Sequence, residues 1–283
     1  MKIDSISLFK RLKQYIHDTF STQNNSSVKF VFVGKGGVGK TTLCALMATA
    51  LDQEGYKVLA IDANPDAHLA QSFGIENSRY LADEYFFMHA IVDGHDCVSN
   101  HVLIPNDFID NIIQRFGMSW GKQSDLLSLG WRKSSTASSL LTEKNILWSI
   151  IRSASKEKYD VVLIDTEAGF ESFRQGFNID IDILVTMTQP THRSIEMARN
   201  VKFLTQSVGI EHIVHVLSSY QSELEATNAE EKLGENIAFK IPYLESIRQS
   251  SLDGTIVSIE PLWQESIKEF ALGLYENAVK KVA

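Results

Sequence analysis

From residue 28 onward, short apolar runs alternate with longer stretches whose apolar residues recur at helical spacing. The runs predict strands over 28–33, 57–61, 159–164, 182–187, 212–217 and 237–241. They are nearly continuous in aliphatic and β-branched residues, which is how strands read when helices cover both faces of a parallel sheet. Between them, Leu43, Leu46, Met47, Ala50 and Leu51 share one helical face, as do Ile146, Leu147, Ile150, Ile151 and Ala154. Near the C-terminus Ile267, Phe270, Ala271, Leu274, Ala278 and Val282 form the clearest such stripe. The expected fold is α/β: a doubly wound, mainly parallel sheet with helices on both faces. In such sheets ligands sit beyond the carboxyl ends of the strands.

Two stretches interrupt this rhythm. Ile6, Phe9, Leu12, Ile16 and Phe20 repeat at helical spacing among Lys10, Arg11 and Lys13, ahead of a polar break over 21–27. Residues 1–27 therefore read as an amphipathic helical extension and linker, and 28–283 as the main domain. Over about 74–141 the alternation of strand and helix is lost, and the stretch carries Phe86, Phe87, Trp120, Trp131 and a serine-rich segment at 134–139. It reads as an insertion on one edge of the sheet. No internal repeat is present.

Charge and cysteine usage narrow the class. A net charge of −8 argues against a protein that coats nucleic acid, since neutralising phosphates needs a basic footprint. Cys44 and Cys97 are the only cysteines, too few for a disulfide framework, and a reducing cytoplasm fits. No apolar run reaches eighteen residues. A basic amphipathic helix such as 1–20 is also the form of a membrane-surface anchor. Its small net charge and lack of Trp favour packing on its own domain or on a partner.

The strongest chemical signal is Gly34-Lys35-Gly36-Gly37-Val38-Gly39-Lys40-Thr41-Thr42, which fits G-x-x-x-x-G-K-[ST] directly between a predicted strand and an amphipathic helix. The glycines let successive backbone N–H groups converge on phosphate oxygens, and the following helix turns its positive end to the same anion. Lys40 is expected to neutralise the β- and γ-phosphates and Thr41 to offer its hydroxyl to Mg²⁺, with Thr42 at the α-phosphate. Two carboxylates follow predicted strands: Asp62 after Val58-Leu59-Ala60-Ile61, and Asp165 after Val161-Val162-Leu163-Ile164. Asp165 stands where a Mg²⁺-binding aspartate is expected. For either residue the alternative is a cap on the next turn or helix.

The loop resembles the deviant Walker A motif of the MinD, ParA and nitrogenase iron protein group of P-loop ATPases, in which a second lysine opens the loop; Lys35 matches it. The resemblance implies that Lys35 reaches across a homodimer to the partner's nucleotide, although a solvated loop lysine is the simpler alternative. It also implies that Asp62, within Ile61-Asp62-Ala63-Asn64-Pro65-Asp66-Ala67-His68-Leu69, orients the attacking water in ATP hydrolysis. Lys35, Lys40, Asp62 and Asp165 are then the catalytic set.

Asp165-Thr166-Glu167-Ala168-Gly169-Phe170-Glu171, Gln189-Pro190-Thr191-His192-Arg193-Ser194 and Ile241-Pro242-Tyr243 are similar to CooC-type maturation factors, which help load nickel into carbon monoxide dehydrogenase. The resemblance implies a client metalloenzyme and places Pro242 at the nucleotide. Two departures stand out. Such factors carry a Cys-x-Cys metal motif where this chain has only Cys97, and many relatives carry Asn then Lys or Arg where Ser218 and Ser219 stand. ATP over GTP is therefore an inference from resemblance alone. His89, His95, Asp96, Cys97 and His101 form a looser set, of which His95, Cys97 and His101 are the candidate nickel or zinc ligands; a histidine-containing loop without metal is the favoured alternative. The expected role is an ATP-driven switch acting on a client protein. Its rivals are ParA- or MinD-like positioning of cargo, and a nucleotide-gated binding module with little hydrolysis.

Overall fold

The computed structural model describes residues 27–81, 112–130, 151, 158–167, 181–208, 210 and 212–282. Its strands are β1 (Val28–Gly34), β2 (Val58–Asp62), β3 (Met118–Trp120), β4 (Ser124–Ser128), β5 (Val161–Asp165), β6 (Ile183–Thr188), β7 (Ile213–Tyr220) and β8 (Ile237–Pro242). The helices are α1 (Lys40–Gln53), α2 (Leu69–Ser72), α3 (His192–Val208), α4 (Glu223–Leu233), α5 (Glu245–Asp253) and α6 (Pro261–Val282). The strands form one sheet ordered β3-β4-β2-β5-β1-β6-β7-β8, parallel throughout except where β3 pairs with β4.

All six strands read from the apolar runs are present, and the four in the middle of the sheet are buried along their whole length. One face of the sheet carries Phe30, Phe32, Val161 and Leu163 against α1 and α6. The other carries Val31, Val33, Leu59, Ile61 and Val162. The stripe on α6 lies against the core as its spacing predicts, with Ile267, Ala271, Leu274 and Ala278 buried and Phe270 stacked on Phe239 at 4.5 Å. Pro261, whose missing N–H would have no partner there, opens that helix.

The loss of rhythm over 74–141 concealed two strands. β4 extends the parallel sheet beside β2, with Asp62 opposite Ser128, and β3 turns back as the antiparallel edge. Ser124-Asp125-Leu126-Leu127-Ser128 lacks a long apolar run, yet Ser124 and Asp125 find side-chain partners within the fold. The Ser124 hydroxyl donates to Asp52 at the end of α1 at 2.6 Å, and Tyr159 donates to Asp125 at 2.6 Å. The Asp52 carboxylate also accepts from the backbone N–H of Lys122 at 2.8 Å, so a buried acid fastens the β3–β4 turn to α1. The segment 1–26, the helix expected around 146–154 apart from Ile151, and Phe86, Phe87, Trp131 and 134–139 lie outside the described residues. Among the described residues, no helix is long and apolar enough to cross a membrane.

Gly34 ends β1 against its neighbour β6. A Cβ there would lie 2.5 Å from the Met187 carbonyl oxygen. Gly34→Ala should therefore force the two backbones apart and lower stability by about 1–3 kcal/mol. Urea denaturation measures this, and an unshifted midpoint would mean that the strands part without cost.

Candidate functional site: a phosphate loop and paired carboxylates

Residues 35–39 leave β1 and enter α1 through Gly37 and Gly39, both in the left-handed region at φ 78° and 93°. Gly39 is the N-cap of α1; it supplies no side-chain cap, and the first turn has no acidic residue. The orphan N–H groups of a fourteen-residue helix are thus left without an internal acceptor, and its positive end faces the cleft. An anion completes such a terminus.

Four of the loop's carbonyls accept from side-chain donors. The Lys40 ammonium donates to the Gly34 and Lys35 oxygens at 3.2 and 3.3 Å, the Gln189 amide to Gly37 at 3.2 Å, and the Ser218 hydroxyl to Val38 at 2.7 Å. Burial pushes the Lys40 ammonium below the usual lysine range, and the charge of Asp165 partly restores it.

Behind the loop, Thr41 donates its hydroxyl to Asp165 Oδ2 at 2.5 Å, whereas Asp165 Oδ1 is buried with no hydrogen-bond partner. A threonine hydroxyl beside a carboxylate with a spare buried oxygen is a hard-oxygen donor set that fits Mg²⁺. Thr166 pins this corner by donating to the Phe32 carbonyl at 2.6 Å.

Asp62 lies directly opposite Asp165 in the sheet register, yet its carboxylate is turned into its own loop. Oδ2 accepts from the Leu69 amide at 2.8 Å and Oδ1 from the Asn64 amide at 3.1 Å. The capping geometry anticipated as the alternative is therefore present. Ala67 in the same loop has φ 49°, a strained setting for a residue with a side chain.

Two buried acids side by side titrate unusually. Asp62 is pushed up to about 8, first by burial and then by Asp165, with the Leu69 and Asn64 amides opposing. Asp165 is raised to about 6 by burial, against the Thr41 hydroxyl, Lys40 and His68. In an unfolded chain aspartate titrates near about 4, so between about pH 4 and 8 the folded chain holds more protons. The associated stability is complete below that window and lost as pH rises through it. The nucleotide-free protein should melt at a lower temperature at pH 8 than at pH 6, and Asp62→Asn should flatten the slope. Identical slopes in both proteins would assign the dependence to other groups.

A cleft of about 850 Å³ runs from residues 36–42 past Asn64 and His68 to Ser218, Ser219 and Pro242. The structure thus brings loop residues Gly36, Gly37, Val38, Gly39, Lys40, Thr41 and Thr42 into one cleft with Pro242. Gly34 and Asp165 are buried beneath it, and Lys35 is exposed at the loop's rim. Gln189, Ser218 and Thr166 stood out in the sequence by resemblance, but their bonds to the Gly37, Val38 and Phe32 carbonyls were not legible, because hydrogen bonds to a distant main chain leave no spacing in the sequence. His89, His95, Asp96, Cys97 and His101 lie outside the described residues. Among the described residues, no group of three or more His, Cys, Asp or Glu is placed to hold a metal.

Comparison with known proteins agrees with this geometry. The chain is 29% identical over 203 residues to the carbon monoxide dehydrogenase accessory protein CooC of Rhodospirillum rubrum, covering 70% of this chain and 76% of that one. It is 25% identical over 237 residues to an uncharacterized ATP-binding protein of Methanocaldococcus jannaschii, covering 82% and 92%. In fold it resembles the cell division ATPase MinD of Pyrococcus furiosus, with a TM-score of 0.63 and 22% identity over 91% of this chain and all of that one. A Pyrococcus horikoshii MinD solved with Mg-ADP gives 0.60 at 20% identity, covering 90% and 96%. Residues 29–257 match a family described as the CobQ/CobB/MinD/ParA nucleotide binding domain, and it is to this family of P-loop ATPases that the chain belongs.

Proposed function

We propose that the protein is a Mg-ATP-dependent switch: nucleotide closes a homodimer, hydrolysis reopens it, and the two states act differently on a client protein. The observation that carries this reading is the Thr41–Asp165 pair, with its spare buried oxygen, behind an uncapped helix terminus. Thr41 and Asp165 would hold Mg²⁺, which when bound neutralises charge on the β- and γ-phosphate oxygens. Lys40 exchanges the Gly34 and Lys35 carbonyls for phosphate oxygens. Asp62 leaves one of its loop amides to orient the attacking water. Lys35, exposed at the rim as the opening lysine of a deviant Walker A loop, reaches the nucleotide of the second subunit, where a cation supplied in trans stabilises the transferred phosphoryl.

For the client, the sequence similarity to CooC supports an accessory role in assembling a metalloenzyme. Nickel or zinc carried through His95, Cys97 and His101 belongs to this reading. The test is to record the mass and bound metal of the purified protein with and without Mg-ATP. A nucleotide-dependent dimer with stoichiometric nickel or zinc supports assembly. A metal-free dimer would redirect the role to positioning of cargo, and a monomer unchanged by Mg-ATP would end the switch reading.

A further inference from the structure

We propose that Ser218, on β7, is a positioning residue of the phosphate loop: its hydroxyl holds the Val38 carbonyl outward so that the adjoining Gly39 N–H faces the phosphates. The inference rests on the reading that residues 34–42 bind phosphate. A cradle of amides exists only while the paired carbonyls point away, and the peptide between Val38 and Gly39 is free to turn over, because Gly39 sits at φ 93° with no Cβ to resist a flip. Ser218 and Val38 are both buried, so no water stands ready to replace the bond.

A serine hydroxyl has one proton. The Val38 oxygen lies at 2.7 Å and the competing Thr188 oxygen at 3.3 Å, so the proton goes to Val38. Ser218 lines the cleft beside Pro242, but it therefore has no donor left for a base. Its effect on binding passes through the loop alone. The Gln189 amide does the same for the Gly37 carbonyl, but that bond is exposed and solvent can substitute for it.

Calorimetry of Mg-ADP, Mg-GDP and Mg-pyrophosphate binding to the full chain tests the assignment. Ser218→Ala should weaken all three by a common factor of about tenfold or more, because it leaves a buried carbonyl without a partner. Gln189→Ala should cost less than about threefold. Unequal losses for ADP and GDP with pyrophosphate unaffected would make Ser218 a base reader and overturn the proposal. So would unchanged affinities in a variant that merely melts lower. Should the alanine variant fail to fold, Ser218→Cys, close in shape but a weak donor, must show the common loss in smaller measure; wild-type affinity for all three ligands overturns the proposal there too. Absence of binding by the unmodified chain would instead overturn the phosphate-loop reading itself.

Discussion

Lys40→Ala is expected to abolish Mg-ATP binding at accessible concentrations, a loss of at least about a hundredfold, since a buried ammonium hydrogen-bonded to phosphate is among the strongest polar contacts available. In the structure this ammonium is held by two main-chain carbonyls, and burial already pushes it below the usual lysine range. Both facts leave it poised for an anion. Removing it also removes a desolvated charge, so the variant should keep a cooperative thermal transition close to that of the unmodified protein. Calorimetric titration with Mg-ATP gives the answer, and affinity retained within tenfold would take Lys40 out of the site.

Asp62→Ala should leave Mg-ATP affinity within a few-fold and lower single-turnover hydrolysis by about a hundredfold or more, since the attacking water loses the group that orients it. The structure adds a second effect. The substitution strips the acceptor from the amides of Asn64 and Leu69, at a cost of about 1–3 kcal/mol, while relieving the opposition of two buried carboxylates. Asp62→Asn separates the two consequences. Its carbonyl can still accept from Leu69, so the fold recovers, but a neutral amide holds the attacking water more weakly than a carboxylate and hydrolysis should stay slow. Normal turnover in the asparagine variant would remove Asp62 from the chemistry and leave it as the cap of α2.

The parts of the site that were readable in advance are those fixed by local geometry. The loop 34–42 must use glycine for its left-handed turns, a lysine that reaches back over it and a hydroxyl at the helix start, and these needs fall on consecutive residues. Asp62 and Asp165 were legible because each ends an apolar run that the sheet covers on both faces. What Asp62 does at rest was not legible: only the folded loop shows both oxygens accepting from backbone N–H groups. Strand β4 was missed for a related reason. Ser124 and Asp125 look like surface residues until Asp52 and Tyr159, brought from elsewhere in the chain, satisfy them.

By itself, then, the sequence determined the parallel α/β architecture, the apolar stripes of α1 and α6 and the phosphate loop, because apolar period and glycine placement act over a few residues. Tertiary structure alone decided how that loop is held open. Ser218 on β7 and Gln189 just after β6 come from far along the chain to bond the carbonyls of Val38 and Gly37, and the two aspartates become a coupled pair only when β2 and β5 lie side by side. Hydrogen bonding and charge interaction depend on distance in space, and no periodicity along the chain records it.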